Sequence, residues 1–216
     1  MRFGIEFGSY PADLDPVEVC EQVTLRAEAA YKNNFEGLFS AQHYLTGPDA
    51  AILQSIPLLS YLAGRVPGMY LGTSIFLLPL HNPLMVAEYV STLDNLSGGK
   101  VLFGVGQGYR ESEFNSFGID KRERRGRLVE GLEVIRRLWT EDAVTFHGKY
   151  FHLERATCLP KPRQRPGPRG PPAVGGCGAR AARGSRTRGR TGSTGCGAGS
   201  SGRASTSGTR RRRTGS

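Results

Sequence analysis

The sequence has no acidic residue after Glu154, and from Arg163 to Ser216 it has no Lys, Leu, Ile, Met or aromatic residue and a single Val. A segment so poor in apolar side chains cannot bury enough surface to offset roughly 1–2 kcal/mol per residue of backbone ordering, so disorder is expected there. Nowhere do 18 apolar residues run together, which excludes a membrane-spanning helix. The opening Met1-Arg2-Phe3-Gly4-Ile5-Glu6 lacks the basic-then-apolar pattern of a secretory signal. Cysteine is scarce: Cys20, Cys158, Cys177 and Cys196 show neither C-x-x-C spacing nor disulfide density, so a reducing cytoplasm is the expected compartment.

Basic residues outnumber acidic ones by 29 to 19, a net charge of +10 that would ordinarily invite a nucleic-acid partner. The charge is not evenly spread. Residues 1–162 hold 16 basic and 19 acidic residues, a net of −3, whereas residues 163–216 hold 13 Arg and a net of +13. The chain is therefore two materials joined near Pro162: a domain over 1–162 and a low-complexity tail over 163–216. In the tail, Gly, Arg, Ala and Pro fill 37 of 54 positions. An RNA-binding tail, a solvated linker and the out-of-frame reading of a GC-rich gene all yield such a composition. No aromatic is present for base stacking and no Arg-Gly-Gly repeat occurs, which counts against nucleic acid. The out-of-frame reading is preferred.

In the first 162 residues, short apolar runs alternate with helical patterns. Phe3–Phe7, Gly37–Ala41, Met69–Ile75 and Lys100–Val105 read as buried strands. Asp15-Pro16-Val17-Glu18 has the cap, first-turn proline and following acid of a helix start. Val17, Cys20, Val23, Ala27, Ala30 and Tyr31 follow as its apolar face, with Cys20 in the core. Further helices are expected around Ile52–Ala63, from Pro83 to a stop at Gly98-Gly99, and over Lys121–Thr140, with Leu128, Leu132, Ile135 and Trp139 inward. A loop separates the fourth strand from the last helix, and Val144–Leu153 reads as a hairpin broken at Gly148. Alternating strands and helices mean parallel pairing with right-handed crossovers. A doubly wound sheet and a (β/α)8 barrel both fit; a barrel typically needs about 250 residues, so length favours the open sheet.

In either architecture ligands sit at the carboxyl ends of the strands. Gln42, His43 and Tyr44 stand there after strand two, Ser74 and Ile75 in strand three, and Gly106, Gln107, Gly108 and Tyr109 after strand four. One imidazole, small residues and glycines that permit close backbone approach suit a planar heterocycle. His43 serves either as a proton carrier or as an ordinary structural hydrogen-bonder. Gly104-x-Gly106-x-Gly108 has Tyr109 where a dinucleotide loop would continue, and Gly98-Gly99-Lys100 lacks phosphate-loop spacing. His81, His147 and His152 have no metal-ligand spacing, so no metal is expected. The Arg/Glu run over 122–137 reads as a solvated helix face.

Several stretches together carry a likeness: R-F-G-I-E-F at the start, G-L-F-S-A-Q-H-Y-L over 37–45, L-G-T-S-I-F-L-L-P-L-H-N-P-L-M-V-A-E over 71–88, and V-S-T-L-D-N-L-S-G-G-K-V-L-F-G-V-G-Q-G-Y over 90–109. The E-F-x-x-F-G of 113–118 and the helix ending E-G-L-E-V-I-R-R-L-W extend it. In this order the sequence resembles the bacterial luciferase-like superfamily of flavin- or deazaflavin-dependent oxidoreductases over residues 1–162. The resemblance implies a (β/α)8 TIM barrel, of which the first four to five β/α units are present, followed by the disordered tail. It implies FMN as cofactor, with F420 as the alternative, and a small organic substrate together with O2. Reduced flavin would react with O2, or a deazaflavin would exchange hydride. Members are often dimers.

By the same resemblance His43 is the catalytic proton-handling residue. Gln42, Ser74, Ile75, Gly106, Gln107 and Tyr109 line the cofactor, and a non-prolyl cis peptide falls at Ser74–Ile75. Gln42 and Tyr44 replace the acid and second histidine that flank His43 in the family signature, which argues against a light-emitting reaction. Lys161–Pro168 resembles the lead-in to strand five, with an echo of that strand at Val174-Gly175-Gly176. Half a barrel leaves strand edges unpaired, so the chain alone is expected to bind flavin poorly and turn over slowly. The alternative is a non-catalytic flavin-binding or interaction protein whose basic tail touches nucleic acid.

Overall fold

The computed structural model describes residues 3–170. Strand β1 (Gly4–Phe7) leads through a two-residue strand β2 (Tyr10–Pro11) to helix α1 (Pro16–Lys32) and strand β3 (Gly37–Ser40). Strand β4 (Ala50–Ala51) pairs back on β2 before helix α2 (Ser55–Ala63), strand β5 (Tyr70–Phe76), helix α3 (Pro83–Leu96) and strand β6 (Val101–Val105). Helices α4 (Glu111–Ser116) and α5 (Arg124–Thr140) and the hairpin strands β7 (Val144–His147) and β8 (His152–Ala156) follow.

The main sheet has the order β1-β3-β5-β6, and every pairing in it is parallel. Each strand lies beside the next one in the chain, with no reversal of order. The pleat sends alternate residues to opposite faces. Ile5, Phe7, Leu38, Leu71, Val101 and Phe103 join one core with Ala27, Ala30, Leu59, Leu62, Val86, Val90 and Ile135 of the helices. The other face carries exposed Glu6, half-buried Phe39 and half-buried Leu102. A doubly wound sheet covers both faces with helices; sequential parallel strands with helices on one face are the geometry of a barrel segment. The length argument for an open doubly wound sheet is thereby overturned.

Phe39 dominates the uncovered face. A methyl group placed on Gly4 of β1 would come within 2.7 Å of its ring, and one on Gly72 of β5 within 2.5 Å. One aromatic ring thus spans three strands because its neighbours have no side chains.

Local chemistry sets the helix ends. Asp15 accepts a hydrogen bond from the Val17 amide at 2.7 Å and Pro16 takes the first turn of α1, as expected. Asn82 does the same for Leu84 at 2.9 Å, with Pro83 opening α3. That helix stops where Gly98 and Gly99 adopt φ of +68° and +84°, left-handed conformations that glycine enters without penalty. The inward face of α1 differs from expectation. Val19, Ala27 and Ala30 are buried and Val23 packs on the core, whereas Val17 is exposed and Cys20 is not a core residue. The sequence Val19-Val23-Ala27-Ala30 keeps the i+4, i+4, i+3 spacing of a single helical stripe, and residues 17 and 20 fall on its flanks.

Helix α5 is pinned on α3 by Trp139, whose indole N–H donates to the Ala87 carbonyl at 3.0 Å. The expected hairpin is present, turning at Gly148, and Glu130 of α5 accepts hydrogen bonds from the Lys149, Tyr150 and Phe151 amides.

The change of material expected at Pro162 does not coincide with the end of specific structure. Asp94, fully buried, accepts from the Gln164 amide at 2.8 Å and from its side-chain nitrogen at 2.7 Å. Lys161 Nζ donates to the Leu138 carbonyl at 2.7 Å. Arg169 forms a parallel bridge with Leu102, and the Phe103 amide donates to the Arg169 carbonyl at 2.7 Å. Residues 163–170 therefore run onto the outer edge of β6, the place of a fifth parallel strand. The remainder of the tail, with its expected disorder and out-of-frame origin, lies outside the described residues. Among those residues, no helix is long and apolar enough to cross a membrane.

Candidate functional site

Polar side chains converge where β3, β5 and β6 end. Glu113 on α4 supplies the centre. It is fully buried, and its Oε1 accepts the Tyr44 amide at 2.9 Å and lies 2.9 Å from His43 Nδ1. The side chain of His43 is 24% exposed, and its ring meets Tyr109 edge-on, with centroids 5.7 Å apart. Glu113 Oε2 has no hydrogen-bond partner among the described residues.

Gln42 is turned inward rather than toward an open ring site. It is 4% exposed; its Oε1 accepts the Leu77 amide at 2.8 Å, and its Nε2 donates to the Tyr44 hydroxyl at 3.3 Å. The end of β3 is thus tied to the end of β5. Tyr44 Oη lies 3.3 Å from His81 Nε2. The hydroxyl accepts from Gln42, and the sense of its contact with His81 follows the His81 tautomer. Burial lowers the His81 pKa to about 4. The Tyr44 phenol is pushed up, first by burial and then by the negative charge of Glu113.

In β5 the register slips between Thr73 and Phe76, and the Ser74–Ile75 peptide is cis, where the resemblance placed it. Thr73 Oγ1 donates to the Gly104 carbonyl at 2.7 Å, holding β6 against the bulge. The bulge leaves both Ser74 and Ile75 exposed, Ile75 by 41%. Ile75 lies against Gly106, where a methyl group would overlap its side chain. Gln107 and Tyr109 are exposed beyond, Tyr109 by 65%. Six of the seven residues singled out from the sequence therefore stand at this edge with exposed or half-exposed side chains or backbone, and Gln42 stands behind them.

Glu113, His81 and Gln54 were not singled out. Gln54 donates to the His43 carbonyl at 3.0 Å. Glu113 was legible only as part of E-F-x-x-F-G, inside a stretch read as loop. It reaches the site because that stretch forms α4, and helix and histidine are 70 residues apart. No group of three or more His, Cys, Asp or Glu among the described residues could hold a metal ion.

Sequential parallel strands, helices on one face, and a polar cluster at the carboxyl end define the class: a segment of a (β/α)8 barrel that bears the barrel's ligand end. Residues 1–191 match the profile of the luciferase-like monooxygenases, and the chain belongs to that family. The match runs beyond Pro162, where the resemblance was expected to end. The chain is 32% identical over 169 residues to 4-hydroxyprotoasukamycin monooxygenase of Streptomyces nodosus subsp. asukaensis, covering 76% of this chain and 45% of that protein. It is 36% identical over 110 residues to the F420-dependent glucose-6-phosphate dehydrogenase of Kineococcus radiotolerans, covering 49% and 32%. The crystal structure of monooxygenase RslO1 from Streptomyces bottropensis superposes with a TM-score of 0.70 at 31% identity, covering 78% of this chain and 52% of that one. The chain spans about half the length of the curated relatives it matches, or less.

Proposed function

We propose that the chain carries the cofactor end of a flavin-dependent oxidoreductase of the monooxygenase type, using reduced FMN and O2 on a small organic substrate. The observation that carries this reading is the His43–Glu113 pair, held beside Tyr109 at the same strand ends as the exposed Ile75 and the side-chain-free Gly106. An exposed aliphatic side chain lying on a glycine offers a flat apolar bed, and a neighbouring imidazole offers proton transfer; both suit a tricyclic ring. Two of the three relatives named above are monooxygenases, which favours FMN. The third is named for F420, which is the alternative.

When bound, a reduced flavin supplies electrons to O2, and a deazaflavin supplies hydride instead. The protein's part is placement and proton management. Ile75 and Gly106 bear the ring, and Ser74, Gln107 and Tyr109 border it. Buried Leu77, Leu80 and Phe114 form an apolar cluster packed against Tyr44, next to the histidine in the chain, and limit water there. With a substrate bound, His43 Nε2 would accept a proton from a substrate O–H or C–H, or return one to it. A cytoplasmic setting belongs to the same reading, and both described cysteines are free.

Titration of the purified chain with FMN and, separately, F420, each followed by cofactor fluorescence, tests the proposal. Weak but saturable quenching that Gly106→Val abolishes is the expected result. No saturation with either cofactor, or saturation indifferent to Gly106→Val, would overturn it.

A further inference from the structure

We propose that Glu113 is the positioning residue of His43, holding its imidazole as the Nδ1–H tautomer and leaving Nε2 as the proton acceptor. The inference rests on the reading of His43 as the proton-handling group and specifies how that group is set.

The tautomer follows from what surrounds one oxygen. Glu113 Oε1 lies 2.9 Å from the Tyr44 amide and 2.9 Å from His43 Nδ1. A backbone amide can only donate, so Oε1 is an acceptor. It is an acceptor whether the carboxyl is ionised or carries its proton on Oε2. With no proton on Oε1, the nitrogen facing it bears hydrogen. His43 Nε2 is the remaining ring nitrogen; it has no hydrogen-bond partner among the described residues, on a side chain that is 24% exposed. The perpendicular packing of Tyr109 on the ring, at an interplanar angle of 83°, restrains the imidazole on a further side.

Burial argues that the carboxylate is there for this purpose. Glu113 is wholly removed from solvent and its Oε2 lacks a partner among the described residues. Leaving a buried polar atom unmatched is costly. Satisfying the Tyr44 amide alone would not require an acidic residue. When Nε2 takes a proton from a bound reactant, the imidazolium so formed is stabilised across the existing Nδ1–H bond. The proton on Nδ1 stays where it is, because Oε1 remains engaged with the Tyr44 amide. Glu113 touches neither substrate nor cofactor in this scheme and works through the histidine.

The test reads the tautomer directly, in the full chain with no cofactor added. Histidine-15N-labelled protein is examined by long-range 1H–15N correlation at a pH where His43 is neutral, with its signals assigned by their loss in His43→Gln. The expected wild-type pattern is Nδ1–H. Glu113→Gln, whose amide oxygen still accepts both donors, should preserve it. Glu113→Ala should shift His43 to the Nε2–H form preferred by free imidazole. An Nε2–H pattern in the wild type, or an unchanged Nδ1–H pattern in Glu113→Ala, would overturn the proposal. Should Glu113→Ala fail to fold, the wild-type pattern still decides. A chain that shows the expected tautomers but fails the cofactor titration sinks the flavin reading and leaves the positioning of His43 standing.

Discussion

Lowering the pH should unfold the chain through His81 in particular. The imidazole is enclosed by Tyr44, Phe76 and Phe117, and burial alone lowers its pKa from 6.5 to about 4. Its folded value lies below its unfolded one. The stability it lends is therefore complete above about pH 6.5 and is lost progressively as the pH falls toward 4, where both states bind the proton. At about 1.4 kcal/mol per pH unit, the full loss is about 3 kcal/mol. Protonation also puts hydrogen on both ring nitrogens, so His81 can no longer accept from the Tyr44 hydroxyl. The assay is urea unfolding across this range, followed by the fluorescence of Trp139, the single tryptophan, which is 6% exposed. His81→Gln supplies the comparison, since its amide can still accept from Tyr44 and does not titrate. Between about pH 7 and pH 4, the wild type should lose about 3 kcal/mol relative to the variant. Parallel stability curves for the two proteins would refute the argument.

Three other substitutions probe the site and its supports. Gly106→Ala should displace Ile75 at a cost of about 1 kcal/mol and weaken FMN binding far more than it lowers the melting temperature, as paired titrations and thermal scans would show. Thr73→Val removes the donor to the Gly104 carbonyl at the bulge; a loss of about 1–3 kcal/mol is expected in urea unfolding. Asp94→Ala releases Gln164, with an expected loss of about 3 kcal/mol, and hydrogen exchange should show the Phe103 amide, which donates to Arg169, losing protection.

Much of the scaffold was legible because its signals are local. Asp15-Pro16 and Asn82-Pro83 mark helix starts by side chains that cap their own backbone, and Gly98-Gly99 marks a stop by its φ angles. The rotation of α1 was misread because Val17, Cys20 and Tyr31 are apolar enough to extend the stripe on paper, although only Val19, Ala27 and Ala30 are buried, with Val23 packed on the core. Barrel and open sheet share one alternation of elements, so only the sheet order and the uncovered face separate them. At the site, His43, Ile75 and Gly106 could be placed by their positions at strand ends. The inward turn of Gln42 and the arrival of Glu113 depend on contacts over 35 and 70 residues, which no local pattern encodes. The run over 163–170 was expected, by resemblance, as the lead-in to a fifth strand, whereas its anchoring on the buried Asp94 of α3 was not legible from an Arg/Gly/Pro composition.

The ring of Phe39 has a consequence for inheritance. Its bulk occupies room that residues 4 and 72 would otherwise fill, so these positions on three strands share one volume allowance. A larger side chain at 72 can be accepted only alongside a smaller one at 39, and the reverse exchange leaves a hole unless a glycine grows. Positions 4, 39 and 72 should therefore drift together among relatives of this chain, with mass passed sideways from strand to strand while the width of the sheet's inner surface stays constant.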